Sequence, residues 1–570
     1  MNLKEQIRHS IPAAIVVVIG AWVMIYYSIV QWETMKPVPS WDLAIFSELA
    51  KAYAHFQTPI VPVKGDGYNL LGDHFHPILI LLGPIWRLFP TPLSLLITQD
   101  LLLAFSAWPL TRLASRLTNQ WVAGGLGLVY VLSWGMQGAV AAQFHEIAFA
   151  MPLLAYASVA FVERRWGAVT AWSAPLVLVK EDMGLTVLMI GVAVILTSAV
   201  PAWYRTCTVI RPGGRGADGL DAAGDAAGNS AGSAPQDDAA RNRRRGLRLG
   251  VGMIVGGIAA FLFAIQVFLP AFNINGVWDY GLSSQDQPTS PDALTHKATV
   301  VVMLILTSGV VGVTSPWLLV VLPTLAWRFL GSVEFYWVWD NWHYNATLMP
   351  IALGALLDVV ARRRAHGSYV ADHPVRQVGV DGRAVMERSA RATLASGEAG
   401  TAGESDVDGP RRRPTAFPTW LTVPMRHRFV VATSILTAVA TGVLTAPYLP
   451  LWQATNKNFD PLAAEAKQSD EAKRTETHRV AVAHEVIATI PEGATVVTDL
   501  SLLAYLVPRA EVSWAGTSGP DKEYIVMTPT SANQWGSSDA AAWGKKHSKQ
   551  GATYTLIYNK DNYQIAKRNG

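Results

Sequence analysis

Residues 11–30 read IPAAIVVVIGAWVMIYYSIV, an uncharged run that follows Lys4 and Arg8. A helix needs about 20 apolar residues to cross the hydrocarbon of a bilayer, because every backbone polar group must be satisfied within the helix there. The run meets that length. It is too long for a signal-peptide core and lacks a small-residue cleavage site, so it reads as a retained anchor with its basic flank in the cytoplasm.

The rest of the chain repeats the pattern. Hydrophobic residues make up 51% and charged residues 15% of 570 positions, too apolar a balance for an ordinary soluble protein. About eleven crossings are expected, near 10–31, 92–113, 120–139, 145–162, 166–180, 183–202, 249–270, 297–312, 315–330, 344–361 and 429–448. The apolar run from His76 to Phe89 is short and suits a helix lying at the interface. Leaving it out of the count puts Arg112, Arg116, Arg164 and Arg165 on the side of the N-terminus, as the positive-inside rule requires.

Net charge is +4, gathered in clusters between the apolar runs, and no nucleic-acid partner is implied. Cys207 is the only cysteine, which excludes an internal disulfide and a thiolate zinc site. The membrane part divides into a module over 1–203, with a long first external loop over 31–91, and a second module over 248–361. Polar insertions over 204–247 and 362–427 have the composition of disordered cytoplasmic linkers, and Arg241, Arg243, Arg244, Arg245 and Arg362 to Arg364 mark their ends. A last transmembrane helix occupies 428–450. From 451 to 570 the composition is that of a soluble domain: a helix near 470–489, strands at Thr495 to Asp499, Glu511 to Ala515, Tyr524 to Thr528 and Tyr554 to Tyr558, and a short helix over Ser501 to Leu506. The expected fold is an all-α polytopic membrane protein with a small C-terminal α/β domain on the extracytoplasmic side.

Charge near a membrane is costly and is often kept for a purpose, so the polar residues at the external span ends are the candidates. Asp42 opens WDLAIF, where its ordinary role is a helix N-cap. Asn69 precedes Asp73, His74 and His76, which carry the atoms for a divalent metal or for moving protons, and otherwise start the helix at Pro77. His145 and Glu146 stand at the mouth of a span, where a first-turn acid is favoured by the helix dipole. Lys180, Glu181 and Asp182 either pair among themselves in a tight turn or offer a lysine to a phosphate. His343 and Tyr344 close an aromatic segment that reads as interfacial belt or as ligand contact. Four separate connections bring these groups to one face, which is a stronger signal than any motif alone.

The series WDLAIF, GDHFHP, FHEIAF and KEDMGL resembles an uncharacterised DUF family of predicted multi-spanning membrane proteins. Its layout is similar to the GT-C class of glycosyltransferases, which use sugars linked to polyprenyl phosphate. That resemblance implies Asp42 as catalytic base and Glu146 as the second catalytic acid. On the reading it favours, Asp73, His74, His76 and His145 shape the acceptor side or hold a divalent metal, the three histidines being additions to the pattern of the class, and Lys180 faces the lipid phosphate. Asn69, Glu181, Asp182, His343 and Tyr344 complete the expected substrate contacts, and His74 and His76 the expected metal ligands. The chain departs from the class in having a single Asp42 where many members pair two acids. The expected partners are membrane lipids, a polyprenyl-phosphate-linked sugar, and a glycan or protein acceptor. A transporter or lipid flippase, and a noncatalytic assembly factor, are the alternatives. The former is disfavoured because carriers gather polar groups near mid-membrane.

Overall fold

The computed structural model describes residues 3–36, 40–199, 235–280, 291–331, 333–372, 423–452, 470–531 and 535–569. Among these, five helices are long and apolar enough to cross a membrane: Leu3–Thr34, Pro92–Leu117, Asp238–Phe272, His343–Arg364 and Arg428–Tyr448. Six shorter apolar helices accompany them: Pro77–Leu88, Glu146–Val162, Trp166–Leu178, Met183–Ala199, Ala293–Thr307 and Pro316–Leu330.

The first module contains α1 (Leu3–Thr34), α2 (Trp41–Ala54), α3 (Leu82–Leu88), α4 (Pro92–Leu117), α5 (Gln120–Val131), α6 (Trp134–Ala141), α7 (Ala150–Val162), α8 (Trp166–Ser173) and α9 (Met183–Ala199). The stretch expected as one crossing over 120–139 is two helices, α5 and α6, broken at Leu132 and Ser133. Several apolar helices open with a 3₁₀ turn in which proline takes an early position, as at Pro77 and Pro316. Proline there removes only an N–H that the helix start leaves unbonded anyway.

Burial sorts the long helices into central and peripheral. The apolar window of His343–Arg364 is 94% buried, whereas those of Asp238–Phe272 and Arg428–Tyr448 are 17% buried. A helix that is apolar all round and mostly uncovered suits lipid contact. Helix Pro235–Phe263 packs along α9 through glycines: a Cβ on Gly184 would strike the Gly257 carbonyl, and one on Gly191 the Gly250 carbonyl. Such close backbone approach substitutes dispersion contact for a hydrophobic drive that lipid does not supply.

The linker boundaries drawn at 247 and 362 fall inside helices. Helix Pro235–Phe263 already includes Arg241 to Arg245, and helix Leu348–Asp372 runs through Arg362 to Arg364. Composition suggests linker for these basic stretches, yet they continue the apolar helices. Residues 204–234 and 373–422, and Cys207, lie outside the described residues.

The C-terminal domain holds helix Asp470–Thr489 and β1 (Thr495–Thr498), β2 (Glu511–Trp514), β3 (Tyr524–Met527), β4 (Tyr554–Lys560) and β5 (Tyr563–Arg568), in the order β2-β1-β3-β5-β4. The first three strands are parallel, and β5 runs antiparallel to both β3 and β4. Strand β5 and helix Ala540–His547 were not expected from the sequence. The domain seats on α1 and α2. Tyr505 stacks on Trp32 with ring centroids 4.0 Å apart and donates its hydroxyl to the Trp32 carbonyl at 2.8 Å. Lys51 donates to the carbonyls of Val507 and Ala510 at 2.7 and 2.9 Å. Trp514, at the end of β2, meets Trp41 at 5.7 Å, beside Asp42.

Candidate functional site

Helix α2 is capped by Ser40, whose hydroxyl accepts the Leu43 N–H at 3.0 Å. The capping role is therefore filled, and the Asp42 carboxylate is left for another partner. That partner is His145, whose Nε2 lies 3.5 Å from Asp42 Oδ2. The Asp42 side chain is 38% open, in contrast to 6% for His145. Enclosure by the surrounding protein raises the Asp42 carboxyl, but the hydrogen bond and charge of His145 outweigh it, so the group sits below its ordinary value.

His145 is fixed from three sides. Its backbone N–H donates to Gln99 Oε1 at 3.0 Å, and its Nδ1 lies 3.1 Å from the Gln143 carbonyl. A carbonyl only accepts, so Nδ1 donates to it, and Nε2 faces the carboxylate, to which it donates when the ring carries its second proton. The third side is a second imidazole, His343, stacked at 3.6 Å between centroids and 23° between planes. Gln143 and Trp342, just before these histidines, have φ of 70° and 64°. Left-handed backbone at non-glycine residues is costly and clusters at functional sites. His343 Nδ1 has no hydrogen-bond partner among the described residues, and Tyr344 lies 4.0 Å from His343.

Glu146 does not act as a solvated first-turn acid. Lys180 Nζ lies 2.8 Å from Glu146 Oε1, with Glu146 buried and the Lys180 side chain 12% exposed. The three charges at 180–182 also do not pair among themselves. Glu181 takes His74 Nδ1 at 2.8 Å and the Phe75 N–H at 3.1 Å, and Asp182 accepts from Trp327 Nε1 at 3.1 Å. Burial raises the Asp182 carboxyl to about 6. For Glu181, burial is overcome by His74, and its carboxyl stays below the ordinary range.

Asp73 Oδ1 accepts from Lys64 Nζ at 2.6 Å, Tyr68 Oη at 2.8 Å and Tyr280 Oη at 3.0 Å. Burial would raise its carboxyl, yet the charges of His74 and Lys64 and these donors hold it at about 2. His74 stacks on Tyr280 at 4.2 Å, and Glu181 keeps its imidazole above the ordinary value despite burial. Tyr280 is brought in by a backbone approach: Asn273 Nδ2 donates to the Gly72 carbonyl at 3.0 Å, and a Cβ on Gly72 would collide with the Asn273 backbone. Lys64, missed in the sequence reading, also lies 5.6 Å from the Trp41 ring. Its only signal is a lysine inside a loop of mixed composition.

His76 is buried with Nδ1 unpartnered among the described residues, and burial takes its imidazole down to about 4. Asn69 serves locally, its Oδ1 accepting the Leu71 N–H at 3.1 Å. Among the described residues no three His, Cys, Asp or Glu side chains gather as a metal site. Glu181 holds His74 through Nδ1, which leaves the Nε2 of that ring uncommitted to it.

A second ionic cluster lies at the far end of the same helices. Arg116 pairs with Glu163 at 2.5 Å, Arg165 with Glu163 at 2.7 Å, and Arg164 with Asp358 at 2.7 Å. From Gln99 to Arg116 along α4, the helical rise is about 25 Å. The two polar layers are thus spaced by roughly the thickness of a hydrocarbon core, about 30 Å.

A profile described as predicted membrane protein (DUF2079) matches residues 38–377, more than half of the chain. The chain belongs to the DUF2079 family. The match takes in Asp42, Asp73, His145, Lys180 and His343, and stops short of the C-terminal domain. Among solved structures the DUF2079 chain is similar to the crystal structure of ArnT from Cupriavidus metallidurans bound to undecaprenyl phosphate, with 11% identity, 97% of each chain covered and a TM-score of 0.42. No curated protein matches.

Proposed function

We propose that this DUF2079 chain is a membrane glycosyltransferase of GT-C layout. It moves a sugar from a polyprenyl-phosphate-linked donor to a hydroxyl of a glycan or protein acceptor on the extracytoplasmic side. The N-terminus is cytoplasmic, the chain makes about eleven crossings, and the C-terminal domain covers the external site. The observation that carries the reading is the Asp42–His145 pair: a carboxylate on a helix between the first two long spans, partly open, and held at 3.5 Å by a histidine that is itself buried. The resemblance of the motif series to that class supports it.

In this reading Asp42 takes the proton from the acceptor hydroxyl as its oxygen bonds to the anomeric carbon. The bond from that carbon to the phosphate oxygen breaks, and the phosphate leaves with the electron pair. Lys180, ordered by Glu146, supplies positive charge toward the departing phosphate. His145 positions Asp42 and keeps it ionised. The stacked His343 and Tyr344 wall the acceptor side.

The test is transfer of a labelled sugar from a polyprenyl-phosphate donor by the purified full chain in nanodiscs, run beside a flipping assay in vesicles. Transfer without flipping supports the enzyme. Flipping of the lipid with no transfer to any hydroxyl acceptor overturns it in favour of a flippase.

A further inference from the structure

Helix α2 carries a second acid that the Asp42 site does not use. Glu48 lies six residues beyond Asp42, a rise of about 9 Å and a turn of about 240°, so it faces another side of the helix. It is 6% exposed. The Val63 N–H donates to its Oε2 at 3.3 Å and the Val512 N–H also reaches the carboxyl, while Oε1 remains without a close hydrogen-bond partner among the described residues.

Glu48 lines a cavity of about 590 Å³ at the seam between α2, the loop that follows it and the C-terminal domain. That volume is in the range of small-molecule sites. Lys51, His55, Thr58, Ala510 and Glu511 also line it. The cation in this set is already committed: Lys51 donates to the carbonyls of Val507 and Ala510, and Glu48 has no ion pair among the described residues. His55 turns its Nδ1 to the Lys51 carbonyl at 2.8 Å. Glu511 is exposed on the opposite wall. A buried carboxyl oxygen without a partner is costly, and if both acids ionise, one committed lysine leaves the cavity short of positive charge.

We infer that this cavity binds a small molecule bearing a protonated primary amine, with the ammonium donating to Glu48 Oε1 and Glu511 standing at the mouth. An ammonium fits better than a polyol because it answers both the missing donor and the missing charge. Burial pushes the Glu48 carboxyl well above its ordinary value, so binding of the ammonium is coupled to loss of the Glu48 proton. The site does not rest on the transfer reading, since it shares no side chain with the Asp42 cluster.

The test is calorimetric titration of the full chain in phosphatidylcholine nanodiscs with ethanolamine and with N-acetylethanolamine, its neutral analogue. Wild type is expected to bind ethanolamine saturably and the neutral analogue at least about tenfold more weakly, the difference a charged hydrogen bond makes. Glu48→Gln preserves the bond from Val63 and is expected to lose binding by at least about tenfold. Ala52→Trp, which fills the cavity from α2 without touching Glu48, serves where Glu48→Gln fails to fold. Equal binding of the two solutes, or wild-type affinity in a folded Glu48→Gln or Ala52→Trp chain, overturns the proposal. Repeating the titration in phosphatidylethanolamine nanodiscs distinguishes the source: competition assigns the amine to a lipid headgroup, and undiminished binding to a free solute.

Discussion

Lys180 extends its ammonium to Glu146, 2.8 Å away, and not to the two acids that follow it in the chain. The ion pair joins the turn before α9 to the turn before α7, with the Glu146 side chain only 2% exposed. Removing one partner of a buried pair leaves an uncompensated charge and typically costs about 3–5 kcal/mol, while replacing both by apolar residues of similar size is often near neutral. Lys180→Met and Glu146→Leu are therefore each expected to lower thermal stability strongly in detergent. The double variant is expected to recover much of it yet remain inactive. Additive losses in the double variant would show that the two side chains do not interact.

The pH dependence of transfer should report the Asp42–His145 pair. Only the ionised carboxylate accepts a proton, so activity is lost as pH falls through its value, which lies below the ordinary 3.8. Enclosure raises that value and His145 lowers it, so His145→Gln is expected to move the acid limb of kcat/KM to higher pH. A limb unmoved by His145→Gln would disconnect the histidine from the carboxylate.

These pairings show where the sequence was legible and where it was not. Strands β1, β2 and β3 announced themselves as β-branched and aromatic runs, and were placed within a residue of their observed ends. Strand β5 reads YQIAKR, and its alternation is masked by two basic residues. The motif loops were legible because charge beside an apolar run is conspicuous. Their partners were not, because Lys180 with Glu146 and Glu181 with His74 are contacts between distant segments that local spacing cannot encode. The Ser40 cap illustrates the same limit: Asp42 and Ser40 are both good caps by type, and only geometry shows which one serves.

His76 predicts a pH-dependent stability. Its imidazole titrates at about 4 in the fold and near 6.5 when unfolded, so the unfolded chain binds more protons between those values. Stability is full above about 6.5 and falls as pH drops toward 4, by roughly 3 kcal/mol at 1.36 kcal/mol per unit. Asp182, raised to about 6, works in the opposite direction over part of that window. The measurement is thus the difference in Tm between wild type and His76→Phe from pH 7 to 4, which should shrink as pH falls. A constant difference would refute the neutral, buried His76.

Orientation follows from the two polar layers. The arginine cluster around Glu163 and Asp358 is expected on the cytoplasmic side, and Asp42 with the C-terminal domain outside. A reporter fused after Gly570 should signal from the external side. A cytoplasmic signal would invert the placement of the whole site.

The central claim is that Asp42 is the base, and one substitution separates that role from a structural one. Ser40 already caps α2, and asparagine fits where aspartate does, so Asp42→Asn is expected to leave thermal melting and membrane extraction nearly unchanged. Loss of a general base typically costs about 10² to 10⁴ in rate. Sugar transfer from a polyprenyl-phosphate donor, measured for purified wild type and Asp42→Asn side by side, should fall by at least about a hundredfold in the variant. Transfer at close to the wild-type rate by a folded Asp42→Asn chain would contradict the account.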